Sequence, residues 1–292
     1  MNVMTSGPAA QRFVELTGGG DTIHFVGVVC GPGYYIASDG IEGWYGQPDR
    51  KVTMTERQTG DGAFPIRDED TLFASRTVTL HARIIADARA DLVDAMSRLS
   101  RLGGQSVTVR VVDGLEDTVA TGYLRAEHPA TWSEHSATTT LTIVCTDPRR
   151  YASTPLTRFL DADTGSGGGL VYPVGSPVSF GGAGLVDVTG LLTNAGSAPA
   201  YPTFTVHGTF PAGIRIMSGG QSLTYVGPIM GAPIILDSLT RTASLTGLDR
   251  SQFLGIRDFP VVPPGGSIRV SFMPLDATTG GWCEATVRDT YI

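Results

Sequence analysis

The run Arg76-Thr77-Val78-Thr79-Leu80-His81-Ala82-Arg83-Ile84 alternates polar with apolar side chains. Period two is the period of a β-strand, so Val78, Leu80, Ala82 and Ile84 form one buried face and Thr77, Thr79, His81 and Arg83 the other. Immediately downstream the period changes. Asp87 is placed to cap a helix in which Ala88, Leu92, Met96, Leu99 and Leu102 recur at helical spacing, and Gly103-Gly104 ends it. Alternation then returns at Val107, Val109 and Val111, closes in an Asp113-Gly114 turn, and appears again at Leu141, Ile143 and Cys145. One helix therefore crosses one sheet. Upstream, the segment from Cys30 to Pro65 carries Gly, Pro and the aromatics Tyr34, Tyr35, Trp44 and Tyr45, with alternation only around Val52 and Met54. It reads as long loops and an extended hairpin.

The chain has 292 residues, a length that suggests two domains. Composition steps near residue 152: residues 1–152 hold 33 charged residues and 16 glycines, whereas residues 153–292 hold 16 and 22. Beyond residue 170, short alternating pairs recur between turn signals: Phe204 with Val206, Ile214 with Ile216, Leu223 with Tyr225, Ile234 with Leu236, and Ile268 with Val270 and Phe272. This spacing indicates an antiparallel sandwich or jelly roll that needs no helix. The Gly-rich piece Thr164–Gly169 is short enough to be a loop inside that domain. The expected fold is mainly β: a β-rich domain with one α-helix over 1–152, then an antiparallel β-sandwich over 153–292.

A net charge of −7 leaves no basic surplus to neutralise phosphates, so a nucleic-acid partner is not expected. No stretch of 18 apolar residues occurs, and the first residues lack the pattern of an export signal; neither membrane insertion nor export is expected. Cys30, Cys145 and Cys283 are widely spaced and form no CxxC pair, so free, mostly buried thiols are expected rather than a disulfide framework or zinc site. The nucleophile-elbow, HExxH, phosphate-loop and EF-hand patterns are all absent. His128 and His135 are seven apart, but Pro129 and Trp132 between them argue against a helical ligand face. Asp61 with Asp68-Glu69-Asp70 could hold a hard cation or supply paired carboxylates, yet such runs are more often solvated loops. Tyr201, Tyr225 and Trp282 are conceivable sugar-stacking residues, with core packing the commoner fate of such aromatics. No catalytic, cofactor or metal residue is assigned.

Taken in order, several stretches resemble the distal tail proteins of long-tailed phages: Thr59-Gly60-Asp61-Gly62 before the long strand, Arg76–Leu80 opening it, and Asp147-Pro148-Arg149-Arg150-Tyr151 closing the first domain. Thr193-Asn194-Ala195-Gly196-Ser197-Ala198-Pro199 leading to Pro202–Gly208, Leu236-Asp237 and Pro264–Ile268 follow in the same order. Each motif is weak alone; their joint order spans nearly the whole chain. The resemblance implies a structural, non-enzymatic virion protein of the tail tip in siphophage-type particles, assembled in the host cytoplasm. It further implies a hexameric ring built by the first, or belt, domain with galectin-like second domains outside it. Its partners would be further copies of itself, the tail tube protein and the baseplate hub, with the tape measure protein a further candidate. Tyr34, Tyr35, Trp44 and Tyr45 are the candidate subunit contacts, since Tyr and Trp are enriched at interfaces, though equally at home in cores. The alternative function is a carbohydrate-binding module or host-surface adhesin; a hydrolase using Asp61 or the 68–70 run is a third reading.

Overall fold

The computed structural model describes residues 12–64, 66–67, 72–114, 116–128, 133–162, 189–276 and 280–292. The chain divides into two compact units, residues 1–153 with 291–292 and residues 154–290. The Gly-rich piece 164–169 and the acidic run 68–70 lie outside the described residues.

The first unit is a closed barrel of seven strands: β1 (Phe13–Gly18), β2 (Asp21–Val26), β3 (Gly33–Glu42), β4 (Arg76–Ile85), β5 (Ser106–Asp113), β6 (Glu116–Glu127) and β7 (Ser136–Cys145). Neighbours run β5-β1-β2-β3-β4-β7, and β6 closes the ring by pairing with both β5 and β7. Every pairing is antiparallel except β2 with β3. Closure leaves no unpaired edge around the wall. The expected alternation of β4 holds, with Val78, Leu80, Ala82 and Ile84 buried. They face Leu16, Ile23, Phe25, Val107, Val109, Leu141 and Ile143 in a single core.

Helix α1 (Arg89–Leu102) buries Leu92, Leu99 and Leu102 against this core. The expected cap at Asp87 is corrected. The residue at the cap position is Ala88, in extended backbone with no side-chain hydrogen bond, so the first turn is held by packing. Arg98 near its end makes a two-pronged bond to Asp21, where β2 begins. The expected glycine stop stands: Gly103 ends the helix, donating its N–H to Ser100 at 3.1 Å. A short strand, β8 (Arg150–Ala152), pairs with β6 outside the closed ring.

The second unit begins with β9 (Leu156–Asp161), β10 (Thr189–Thr193), β11 (Thr203–Phe210), β12 (Ile214–Ser218), β13 (Gln221–Tyr225) and β14 (Ile229–Met230). It continues with β15 (Ile234–Asp237), β16 (Thr242–Leu245), β17 (Leu248–Asp249), β18 (Leu254–Arg257), β19 (Ser267–Pro274) and β20 (Gly281–Val287). One sheet runs β10-β19-β12-β13-β18 and the other β17-β16-β15-β11-β20-β9, with β14 paired to β11. Leu192, Ile216, Leu223, Val270 and Phe272 of the first sheet and Leu160, Phe204, Val206, Leu236 and Cys283 of the second share one core. Phe210 meets Phe272 edge to face at 5.5 Å. This is the expected antiparallel sandwich.

Asn194 fixes the turn that enters it. Its side-chain oxygen accepts the N–H groups of Gly196 and Thr290, and its amide donates to Ala198 at 2.7 Å. Gly196 allows the approach, because a Cβ there would lie 1.9 Å from the carbonyl oxygen of Thr290. The Asn-x-Gly pattern read from the sequence is therefore a buried polar knot with its amide satisfied.

Candidate assembly surface

Arg76 opens β4 and is buried. Its Nη1 donates to the carbonyls of Gly43, Trp44 and Gly46 at 2.7, 3.0 and 2.7 Å, and its Nε to Pro148 at 2.8 Å. A buried cation needs compensation, and here backbone carbonyl dipoles supply it. Burial, with the nearby Arg150 second, pushes its pKa down. The side chain thereby ties the loop after β3 and the loop before β8 to the start of β4. Gly43 is required in that loop: its φ is 72°, and a Cβ would come 2.1 Å from the carbonyl oxygen of Thr77.

The four aromatic candidates are held in different ways. Trp44 is 0% exposed and belongs to the barrel core. Arg150 lays its guanidinium over Trp44 at 5.6 Å, Tyr45 at 5.9 Å and Tyr291 at 5.8 Å. Tyr45 turns outward, 50% exposed, and donates to Asp113 Oδ2 at 2.7 Å. Partial burial first, then the Asp113 carboxylate, push its pKa up to about 12. Asp113 also pairs with Arg12 at 2.9 Å. Tyr34 is half-buried, edge-on to Phe25 at 5.5 Å, and donates to Ala95 of α1 at 3.2 Å. Tyr35 is buried under its preceding loop, donating to Gly31 at 2.6 Å and accepting from the Cys30 N–H at 3.3 Å. Tyr45 alone of the four offers a large open surface.

In the neighbouring arm, sequence reading singled out Asp61 and the alternation at Val52 and Met54, and none of its residues as a subunit contact. The described parts of 49–74 pair with one another: Lys51 N–H bonds Leu72, Phe64 N–H bonds Thr55, Arg57 N–H bonds Gly62, and Ala74 N–H bonds Asp49, at 2.7 to 3.0 Å. Along it Met54 is 68% exposed, Phe64 59% and Leu72 64%. The signal was the alternation around Val52 and Met54, which placed apolar side chains on a strand pair without saying what they face. Asp61 sits exposed at the tip.

The remaining candidates separate. His128 bonds Thr139 Oγ1 at 2.9 Å through Nδ1 and Ser100 Oγ at 3.1 Å through Nε2, so both ring nitrogens are occupied by hydroxyls. Among the described residues no group of three His, Cys, Asp or Glu could hold a metal. Cys30, Cys145 and Cys283 are free. Tyr225 is buried in the sandwich core, edge-on to Phe253 at 6.0 Å, which takes it out of contention as a sugar contact. Trp282 is half-buried on the sandwich's outer face. No helix of the described residues is long and apolar enough to cross a membrane.

No protein-family model matches the chain, and no curated protein sequence matches it. Solved structures do. The Dit protein of phage SPP1, described as a paradigm of the hub adsorption apparatus of phages that infect Gram-positive hosts, superposes with a TM-score of 0.61. It is 14% identical, and the match covers 96% of this chain and 99% of that one. A chain of the phage P2 baseplate in its activated conformation gives 0.54 at 8% identity, covering 96% and 98%. The fold is therefore that of phage Dit and baseplate proteins.

Proposed function

We propose that this chain is a structural protein of a phage tail tip which closes into a six-membered ring joining the tail tube to the baseplate hub. The observation that carries this reading is the likeness to the SPP1 Dit over nearly the whole of both chains. A domain-sized coincidence would cover one unit; here both are included.

In this reading the belt is residues 1–152 and the galectin-like sandwich residues 153–292. The ring-forming surface is the arm with Met54, Phe64 and Leu72, together with Tyr45 beside it. An isolated two-stranded ribbon is marginal in water, and one carrying exposed apolar side chains gains stability when a second copy covers it. The partners are further copies of this chain, the tail tube protein and the hub protein, with the tape measure protein as a further contact. The work is scaffolding rather than catalysis, carried out in the virion after assembly in the host cytoplasm.

Negative-stain imaging and light scattering of the purified chain, alone and mixed with the tube and hub proteins of its phage, test the reading. Six-fold rings are expected. A chain that stays monomeric alone and with both proteins overturns it.

A further inference from the structure

On the outer face of the sandwich, three rings stand together where β9, β20 and β11 run side by side. Trp282 lies opposite His207 on one side and opposite Asp161 on the other. The His207 ring stacks on the Trp282 indole at 4.0 Å and 14°, and Phe159 meets the indole edge-on at 5.4 Å. Phe159 is 64% exposed although it is a large apolar residue on a rigid strand. Glu284 lies opposite Phe159 and Thr205, so carboxylates flank the rings on two sides. Neither Asp161 nor Glu284, nor the Trp282 N–H, has a partner among the described residues.

Cross-strand packing alone accounts for His207 on Trp282. It leaves unexplained the open ring of Phe159 and the free polar groups around it. From this arrangement we infer that the face binds an uncharged polysaccharide. An open aromatic ring offers a flat apolar surface to the C–H face of a pyranose. The unpaired carboxylates accept its hydroxyl protons, and the indole N–H donates to a hydroxyl oxygen. The two carboxylates repel polyanions, so the ligand is a neutral chain rather than a phosphate- or uronate-bearing one. The ring-forming function proposed above uses the other unit, so this site stands or falls separately.

The test is calorimetry on the full chain with maltohexaose, cellohexaose and chitohexaose as neutral probes and polygalacturonate as the anionic one. Binding of at least one neutral probe is expected. Phe159→Ala should weaken it about tenfold or more, Asp161→Asn should weaken it less, and Tyr45→Ala should leave it unchanged. Because Trp282→Ala could disturb the sheet, the exposed Phe159 carries the decision, with circular dichroism to show that the fold is kept. No binding of any neutral probe, binding indifferent to Phe159→Ala, or preference for polygalacturonate overturns the proposal. So would capture of this face by a second copy of the chain or another tail protein, read as loss of sugar binding on assembly.

Discussion

The guanidinium of Arg150 stands 5.6 Å from the ring of Trp44, with the indole on its buried side and Tyr45, at 5.9 Å, reaching solvent. Two adjacent aromatics thus share one cation but serve different ends. Burial pushes the Arg150 pKa down and the Glu116 carboxylate, 3.8 Å from Nη1, opposes it, so the cation has rings on one side and a counter-ion on the other. Trp44 is part of the barrel's stability, and Tyr45 is available to a neighbour.

Substitution should separate the two. Trp44→Ala removes a fully buried indole and should cost about 3–5 kcal/mol, lowering the urea midpoint of the first unit. Tyr45→Ala loses one partly exposed hydrogen bond and should stay within about 1 kcal/mol of the parent. If the proposed ring uses Tyr45, the effect falls in assembly, where a central interface aromatic is worth about 2 kcal/mol, a roughly thirtyfold weaker association by light scattering. If Tyr45→Ala unfolds the chain as readily as Trp44→Ala, the division between them is wrong.

Three of the seven barrel strands and the helix were legible because β4, β5, β7 and α1 each keep one periodicity with one buried face, whereas β3 lay unseen in the Gly-rich segment 30–65 read as loops and a hairpin. Closure through β6 and β7 was not, since pairing across the barrel leaves no local mark. Trp44 and Tyr45 were equally prominent as aromatics in a Gly-rich loop. What buries one and not the other is Arg76, thirty residues away, pulling the loop's carbonyls inward. Asp87 was a reasonable cap by residue type, yet packing of Leu92 and Leu99 places the helix start one residue later. Phe159 escaped notice because it adjoins Leu160, and neighbouring apolar residues on a strand face opposite ways.

The Asp21–Arg98 pair should show itself in acid. The two-pronged bond from Arg98 holds the Asp21 carboxyl down to about 2. A depressed folded-state value contributes stability that is fully present above the unfolded value of about 3.9 and is lost as pH falls toward 2. The melting temperature should therefore drop between pH 4 and pH 2, and Asp21→Asn should flatten part of that drop while leaving pH values below 2 unchanged. Parallel melting curves for the parent and Asp21→Asn would sink this assignment. Both side chains are about a third exposed, so salt should reduce the effect.

Thiol reactivity should be graded by burial. Cys30 is exposed; Cys145 and Cys283 are buried, and loss of water pushes the Cys145 thiol up to about 11 and Cys283 upward as well. Titration with a thiol reagent at pH 8 should find one rapidly reacting group in the native protein and three in urea without reductant. Fewer than three in freshly denatured protein would mean a disulfide.

The last prediction concerns the two units taken apart. Residues 154–290 contain a complete core, from Leu160 to Val287, and both sheets of the sandwich. A fragment of these residues should fold alone as a β-rich monomer with a cooperative urea transition. Residues 1–153 likewise contain the whole barrel, α1, Tyr45 and the arm, so they should keep the ring-forming surface. They lack residues 291–292, which belong to the first unit: the short strand Thr290–Tyr291 that pairs with β8, and the Tyr291 ring 5.8 Å from Arg150. Losing that contact should cost about 0.5–2 kcal/mol, lowering the melting temperature without preventing folding. Sedimentation of the two fragments then decides where assembly resides. Rings from 1–153 and monomers from 154–290 agree with the belt assignment, whereas rings from 154–290 with monomeric 1–153 would reverse it. Arg150→Met in the first fragment is the control for the shared cation. It should destabilise the barrel by removing the cation over Trp44 and, because the same cation lies over Tyr45, weaken association of whatever remains folded, though less than Tyr45→Ala does.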